Sequence, residues 1–217
     1  MPKETFFNLP EPKRQMIEDA AIDEFAAWGY DNASITRIVE VCQIAKGSFY
    51  QYFGDKKDLY QYLVTHIGEE KLKFLSPIAL DRAGTDLFGR LAEMYRAGLA
   101  FAKIRPKAAL IGNQVYKNLD HPVHKEILKD GKDLAMRFYA QLLEDAMARG
   151  EVRPDIDIKF AAYVLLQMNT TTSEYYFDVV KGGDFDFSTM DDDIMDTVEL
   201  FLDFIKSGIG TQEGKVQ

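Results

Sequence analysis

The sequence predicts an all-α protein with a small N-terminal head and a larger helical body. Apolar residues recur at helical spacing in nearly every segment, and short stretches of glycine, proline or polar turn residues separate these segments. With 217 residues and 47% hydrophobic content, the chain can bury a substantial core in two domains. We expect a head at residues 1–54, a connecting helix at 55–75 and a helical body at 76–217.

The first long helix is predicted from Pro12 to Trp28. Ile17, Ala21 and Phe25 recur on one face of this segment, and Gly29 is suited to end it because glycine readily adopts the backbone conformations found after helix C-termini. This helix would complete a three-helix head with the two short helices that follow it.

The next segment, residues 34–59, predicts two short helices joined by a tight turn. Ser34 is suited to cap the first helix, whose buried face is predicted to consist of Ile35, Ile38, Val39 and Cys42. Residues 43–45 are too few to form anything but the turn. The second helix is predicted from about Lys46 to Phe53. Asp55 then caps a third helix, with Asp58 in the capping-box position.

The polar residues of this helix pair are spaced to contact the major groove of DNA. Phe49 and Phe53 are four residues apart and are predicted to face inward. Outward-facing Lys46, Ser48 and Gln51 can then bond to base edges, and Gly47 allows close approach. Thr36, Tyr50, Tyr52 and Lys56 suit phosphates, and Arg37 suits either target. The predicted DNA-binding residues are Thr36, Arg37, Lys46, Gly47, Ser48, Tyr50, Gln51, Tyr52 and Lys56.

This pattern resembles the DNA-binding domain of the TetR family of bacterial transcriptional regulators. The similarity covers roughly residues 10–60 and lies in Gly29-Tyr30, in Ser34-x-x-x-Ile38, and in the run K-G-x-F-Y-x-Y-F-x-x-K-x-x-L from Lys46 to Leu59. Gln43 departs from the family's usual turn glycine, so the resemblance implies a left-handed conformation for Gln43. Val39 and Cys42 replace small alanines. A helical hairpin with purely structural aromatics is the alternative interpretation.

The net charge of −9 is unusual for a DNA-binding protein. Residues 32–57 carry four basic and two acidic side chains, so the helix pair is a local positive patch on an acidic chain. Binding through so few cations is expected to be weak for a monomer and stronger for a dimer with two patches.

The body is predicted to be helical throughout. The connecting helix should carry Leu59, Leu63 and Ile67 inward and break at Ser76-Pro77. The remaining helices are predicted, in order, at Leu87–Ile104, Lys107–Lys117, Val123–Arg149, Asp155–Val180 and Asp191–Lys206. The long third helix of this set has a predicted inward stripe of Ile127, Leu134, Phe138, Leu142 and Met147. The tail from residue 211 to 217 is expected to be loose.

The last two helices are apolar on more than one side, and such helices must bury more than one side. We expect them to form a two-fold dimer interface as a four-helix bundle, and the TetR resemblance implies the same; an ordinary internal core is the alternative. The predicted interface residues are Leu165, Met168, Thr172, Ile194, Val198, Phe201 and Ile205.

The resemblance also implies a small-molecule effector site in the body. Such sites are mostly apolar with a few polar groups. An aromatic or cationic effector would suit the tyrosines and the acidity of the body. The candidate ligand residues are Tyr95, Phe101, Tyr116, Phe138, Tyr163 and Gln167.

No other constellation indicates chemistry. His121 and His124 lack a partner at metal-ligand spacing and are interpreted as part of a solvated loop, Asp191–Asp193 as a helix start, and Cys42 as packing. We expect no metal, no cofactor, no membrane span and no enzymatic activity, and the single cysteine fits a cytoplasmic protein. The predicted function is a repressor that a small molecule releases from a palindromic DNA operator. The alternatives are an adaptor of the same fold controlled by a protein partner, and a helical enzyme that uses the His121/His124 region.

Overall fold

The computed structural model describes residues 1–80, 85–183 and 193–211. Within these ranges the chain is helical, apart from turns and an isolated antiparallel bridge between Val152 and Gly210. The predicted all-α fold is therefore confirmed. Among the described residues, none of the helices combines the length and the apolar character that crossing a membrane requires.

Five helices form the N-terminal part of the chain: α1 (Glu4–Phe7), α2 (Glu11–Asn32), α3 (Ile35–Val41), α4 (Lys46–Tyr52) and α5 (Lys56–Leu80). Five more follow: α6 (Leu87–Ile104), α7 (Pro106–Lys117), α8 (Pro122–Ala148), α9 (Ile158–Glu174), which continues as a π-helical turn at Tyr175–Val180, and α10 (Ile194–Ile209).

These helices form two compact units. Unit 1 comprises residues 1–72 and 105–127, and unit 2 comprises residues 73–104 and the described part of 128–217. Helix α7 belongs to unit 1, where Ile111 and Val115 are buried and Gln114 Nε2 donates to the Ala26 carbonyl of α2 at 3.1 Å. The domain boundaries after residues 54 and 75 remain predictions.

Unit 1 is organised around a cluster of aromatic and aliphatic side chains. Ile17 and Phe25 of α2, Ile38 of α3, and Phe49 and Phe53 of the α4 region are at most 1% exposed. The inward stripe of α5 is also as predicted, because Leu59, Leu63 and Ile67 are all buried. This shared core fixes α3 and α4 on the surface of unit 1.

Gly29 ends the regular part of α2, as the sequence predicts. Its φ of 66° and ψ of 177° lie in a region that is essentially restricted to glycine, and a single further turn carries the chain to Asn32. The Ala33 N–H then bonds to the Gly29 carbonyl at 3.2 Å. This break turns the chain from α2 into α3.

We expect Gly29→Ala to lower the free energy of unfolding by about 1–2 kcal/mol, because a Cβ is strained at this φ even though no atom lies within 4 Å of it. Gly47→Ala is the matched control. It has equally open surroundings, but its helical backbone means that the substitution should stabilise by up to about 1 kcal/mol. Thermal unfolding of both variants measures the difference. An equal effect of the two substitutions would contradict the assignment of Gly29 to a backbone conformation that only glycine adopts without strain.

Several predicted helix ends differ from the structure. Helix α5 continues through Ser76-Pro77 to Leu80, so the predicted break there is wrong; a helix can pass a proline by giving up one backbone hydrogen bond. Helix α9 begins at Ile158 and not at Asp155, because the Asp157 side chain caps it by accepting from the Phe160 N–H at 2.9 Å. Helix α10 begins at Ile194 and ends at Ile209, three residues beyond the predicted end at Lys206; residues 191 and 192 lie outside the described residues.

The core of unit 2 is formed by α6, α8, α9 and α10. Its buried members include Leu87, Leu91, Leu143, Ala162, Leu165, Val198, Phe201 and Ile205. The predicted stripe of α8 needs one correction, because Leu134 is 52% exposed. Leu142 is buried as predicted, and the inward face continues through Leu143 and Ala146.

Candidate nucleic-acid interface

Helices α3 and α4 are joined by the predicted three-residue turn, Gln43 to Ala45. Gln43 has a φ of 51° and is the one positive-φ residue other than glycine among those described, so its predicted left-handed conformation is confirmed. The Ile44 N–H bonds to the Val39 carbonyl at 3.0 Å and ties the turn to α3. Cys42 is buried, and burial raises the pKa of its thiol, as expected for a packing residue.

One side of α4 is buried, and the opposite side carries exposed groups. Phe49 is 1% exposed and Phe53 is fully buried, with ring centroids 5.5 Å apart, which confirms their predicted inward orientation. Exposed or half-buried on the other side are Lys46, Gly47, Ser48, Tyr50 and Gln51. This side of the helix therefore offers an ammonium, two hydroxyls and an amide to solvent.

Lys46 also contacts α3. Its Nζ donates to Thr36 Oγ1 at 3.3 Å, and both side chains are exposed. The structure thus brings the first residue of α4 next to a predicted phosphate contact on α3, so that both polar groups lie on one continuous surface.

Tyr52, a predicted phosphate contact, is largely covered by other residues of unit 1. Tyr52 is 7% exposed, and its ring lies 6.2 Å from that of Phe6, measured between centroids. Phe6 belongs to α1, which covers the C-terminal end of α4. The spacing within α4 cannot reveal this cover, because it comes from a segment 46 residues earlier in the chain.

Arg37 is engaged by other residues of unit 1. Its Nη2 donates to Glu24 Oε1 at 2.5 Å and to the Asn32 carbonyl at 2.8 Å, and its guanidinium carbon lies 5.0 Å from the Trp28 ring centroid. The same Glu24 carboxylate accepts from the Ser34 N–H at 2.7 Å. Ser34 is the N-cap residue of α3 as predicted, but its hydroxyl makes no capping bond.

Burial of Glu24 opposes its ionisation, but the hydrogen bonds from Arg37 and from the Ser34 N–H outweigh burial and leave the pKa of this carboxyl below its usual value. Glu24 therefore stays ionised and holds the start of α3 against α2.

Lys56 is half-buried and has partners at the C-terminal end of α2. Its Nζ donates to the Asp31 carbonyl at 2.9 Å and to the Ala33 carbonyl at 3.1 Å, and it lies 4.8 Å from the Tyr30 ring centroid. A lysine in this position satisfies carbonyls at a helix C-terminus. A phosphate contact by Lys56 would have to share the ammonium with these carbonyls.

The predicted cap of α5 is present. Asp55 Oδ1 accepts from the Asp58 N–H at 2.8 Å, and Asp58 Oδ2 accepts from the Gly54 N–H at 2.9 Å. In a standard capping box, the Asp58 side chain would accept from the N–H of the N-cap residue Asp55; here it accepts from the N–H one residue earlier.

The pair His121 and His124 does not form a solvated loop, so that interpretation is wrong for His124. His124 is 4% exposed; its Nε2 lies 3.2 Å from the Tyr60 hydroxyl and its Nδ1 lies 2.8 Å from the Asn118 carbonyl. His121 is half-buried, with Nε2 3.3 Å from Asp31 Oδ1. Among the described residues, no cluster of three His, Cys, Asp or Glu side chains is suited to hold a metal ion.

The candidate ligand residues occupy very different environments. Within unit 2, Phe101 is buried, Tyr95 and Phe138 are half-buried, and Tyr163 and Gln167 are exposed. Tyr116 belongs to unit 1 and is exposed. Tyr95 is the most enclosed polar candidate: burial, with a smaller contribution from Tyr139, raises the pKa of its hydroxyl, which lies near Thr172.

Most of the predicted dimer residues lie in the core of unit 2. Leu165, Thr172, Val198, Phe201 and Ile205 are 1–7% exposed within the single chain, so their side chains pack inside unit 2. Met168 and Ile194 are half-buried. These side chains pack within one chain because α6 and α8 cover this face of α9 and α10.

The opposite face of α9 and α10 is apolar and exposed. Phe160 is 67% exposed, Leu200 67% and Phe204 69%, and Tyr163 is also exposed. A cavity of about 270 Å³ opens beside Phe160, lined also by Ile156, Val164 and Ile209; none of the six candidate ligand residues lines it. In the sequence, both helices are apolar on two sides. The pattern does not indicate which of the two sides faces inward.

Comparison with known proteins places the chain among bacterial regulators. Residues 17–63 match the sequence profile of bacterial regulatory proteins of the tetR family. A transcriptional regulator of the TetR family from Chloroflexus aurantiacus is 35% identical; its crystal structure aligns over 98% of this chain and 100% of its own, with a TM-score of 0.72.

Two further proteins extend the comparison. The HTH-type transcriptional regulator UidR of Escherichia coli K12 is 27% identical over 159 residues, which cover 73% of this chain and 78% of UidR. The regulator FadR of Bacillus subtilis, crystallised in complex with stearoyl-CoA, is 16% identical, with a TM-score of 0.67 over 87% of this chain and 97% of its own. At this identity, the likeness to FadR shows the fold alone.

Proposed function

The chain belongs to the TetR family of bacterial transcriptional regulators, and from this premise we propose that it is a dimeric repressor that reads a near-palindromic operator through α4 and is released by a small-molecule effector bound in unit 2. The exposed polar side of α4, held on the buried pair Phe49 and Phe53, is the observation that carries this proposal. Its site of action would be the cytoplasm, where bacterial DNA lies.

Base reading is assigned to the exposed side of α4. Lys46 suits guanine O6 and N7, Gln51 suits adenine N6 and N7, and Ser48 is permissive. The absence of a side chain at Gly47, whose surroundings are open, lets the groove approach the helix backbone. These groups lie on one side of a helix, which is how a recognition helix presents them to the major groove.

Phosphate contacts are assigned first to Thr36 and Tyr50, which are exposed beside the base-reading groups. Arg37 and Lys56 have intramolecular partners, and we place them in a secondary role. Tyr52 is buried and contributes at most its hydroxyl. Phosphate contacts fix the register of a protein on DNA without reading its sequence.

A dimer supplies the affinity that one acidic chain lacks. We assign the dimer interface to the exposed apolar residues Phe160, Tyr163, Leu200 and Phe204. The first two lie three residues apart on α9 and the last two lie four residues apart on α10, so each helix exposes an apolar pair, and grouped exposed apolar side chains mark interaction sites. A two-fold axis through this face would join two α9–α10 pairs. The two α4 helices would then bind half-sites about one DNA turn apart, roughly 34–36 Å.

The effector is proposed to bind near Tyr95 in unit 2, where a buried hydroxyl lies among apolar side chains. An aromatic or cationic compound remains our expectation for its class. An adaptor of the same fold would instead bind a protein partner. Melting of the purified protein with a library of small molecules separates the two, because an effector of this site raises the melting temperature and Tyr95→Phe should weaken that shift.

The roles on α4 are tested by two substitutions that leave its buried side intact. Gln51→Ala is expected to relax the sequence preference at one base position by about 1–3 kcal/mol. Tyr50→Phe should instead weaken binding equally for all DNA sequences. Titrations against an operator selected from random DNA, and against its single-base variants, measure both effects. Uniform weakening by Gln51→Ala would remove the assignment of α4 as the reading helix.

A further inference from the structure

The residues before α2 lie along the C-terminal end of α4. Lys3 donates twice: its backbone N–H bonds to the Tyr52 carbonyl at 2.8 Å and its Nζ to the Tyr50 carbonyl at 2.7 Å. The Thr5 hydroxyl donates to the Gln51 carbonyl. Three consecutive carbonyls of α4 therefore accept hydrogen bonds from residues 3–5.

These bonds satisfy the groups that a helix end leaves free. The last four carbonyls of a helix have no partner within the helix, and α4 has seven residues. The Phe53 N–H reaches the Phe49 carbonyl at 2.9 Å, and the N-terminal segment supplies the donors for the other three. A lysine ammonium also interacts favourably with the negative end of the helix dipole.

The segment is fastened by Phe6, which is fully buried. The Phe6 ring centroid lies 4.8 Å from that of Phe53 and 5.4 Å from that of Tyr62 on α5. This anchor holds the donors of Lys3 and Thr5 in place, because the single turn of α1 joins them directly to Phe6.

We propose that Lys3 and Thr5 are positioning residues that fix the last turn of α4 and thereby set its sequence specificity. The carbonyls that they hold belong to Tyr50, Gln51 and Tyr52, and two of these residues carry the exposed side chains assigned to DNA. A seven-residue helix is too short to be stable by itself, so the last turn depends on these bonds. The specificity part of this inference rests on the proposed reading of bases by α4.

The test uses the Lys3→Ala, Thr5→Val double variant of the full chain. It removes two of the three bonds, keeps the Lys3 backbone N–H and leaves the Phe6 anchor intact, so unit 1 stays folded. Gln15→Ala is the matched control, because it removes an exposed bond to Asp19 at 3.0 Å on α2, away from α4.

Amide hydrogen exchange is the first measurement. The amides of residues 50–53 should exchange about tenfold faster in the double variant, and those of α3 should be unchanged. Unchanged exchange at residues 50–53 would overturn the positioning role. The Gln15→Ala variant should match the unsubstituted protein in both helices.

DNA binding is the second measurement, on an operator selected from random DNA by the unsubstituted protein. In the double variant, discrimination at the base read by Gln51 should fall about three- to tenfold, while the salt dependence of binding stays the same. Equal weakening on all sequences with a smaller salt slope would make Lys3 a phosphate contact and overturn the specificity role. If the unsubstituted protein selects no operator, the proposed function and the specificity claim both fail, while hydrogen exchange still decides the positioning claim.

Discussion

Phe204→Glu is expected to convert the proposed dimer into a folded monomer that binds operator DNA at least about a hundredfold more weakly. Phe204 is 69% exposed in the single chain, so a carboxylate there is solvated and leaves unit 2 intact. At a two-fold interface, the same substitution would bring two unpaired carboxylates into an apolar seam, which costs several kcal/mol. Without the second patch, binding also loses its bivalent gain. Sedimentation equilibrium and DNA titration measure the two effects.

Two control variants separate assembly from folding. Phe201→Glu, three residues earlier on α10, should unfold unit 2, because Phe201 is 7% exposed and packs against Tyr95 with ring centroids 5.8 Å apart. Asp203→Asn alters an exposed charge beside Phe204 and should leave the dimer unchanged. A Phe204→Glu protein that sediments as a dimer would place the interface on another face of the molecule.

The contrast between Phe201 and Phe204 shows where the sequence stops being informative. Both residues belong to a helix that is apolar on two sides, and periodicity identifies the two sides without showing which one is internal. The internal side is the one that α6 and α8 cover, and those helices are remote in the sequence. The sequence therefore predicts that α9 and α10 bury two sides, and only the structure separates the internal side from the exposed one.

Features with local causes were predicted correctly. The left-handed Gln43 stands where the family resemblance implies a turn glycine, and the inward orientation of Phe49 and Phe53 follows from their four-residue spacing. Asp55 caps α5 through a bond that spans three residues. In each case the interacting groups are neighbours along the chain, so the pattern of residues contains the cause.

Features that depend on distant partners were missed. Tyr52 is covered by Phe6, and the Lys56 ammonium is held by carbonyls of Asp31 and Ala33. Both residues look like free DNA contacts within their own helices. Their partners come from segments that only the tertiary fold brings close, and the spacing of residues in a single helix contains no information about them.

Glu24 is another residue whose importance appears only in the fold. We expect Glu24→Gln to lower the free energy of unfolding by about 2 kcal/mol at neutral pH, because an amide replaces the charged acceptor shared by Arg37 and the Ser34 N–H. Operator affinity should fall as well, since this carboxylate joins α2 to the start of α3. Chemical denaturation of the purified protein measures the change. Asp19→Asn, an exposed site on the same helix, is the control and should have little effect.

The difference in unfolding free energy between the unsubstituted protein and Glu24→Gln should depend on pH, and this dependence identifies its origin. The pKa of Glu24 is lower in the folded protein than its ordinary value, so the ionised carboxylate contributes stability that is present above the ordinary pKa and is lost as the pH falls through the folded pKa. Glutamine does not titrate, so the stability gap between the unsubstituted protein and Glu24→Gln should be largest near neutral pH and should shrink in acid. A gap that stays constant down to the folded pKa and below would mean that the substitution acts through packing, and the charged link from α2 to α3 would lose its support.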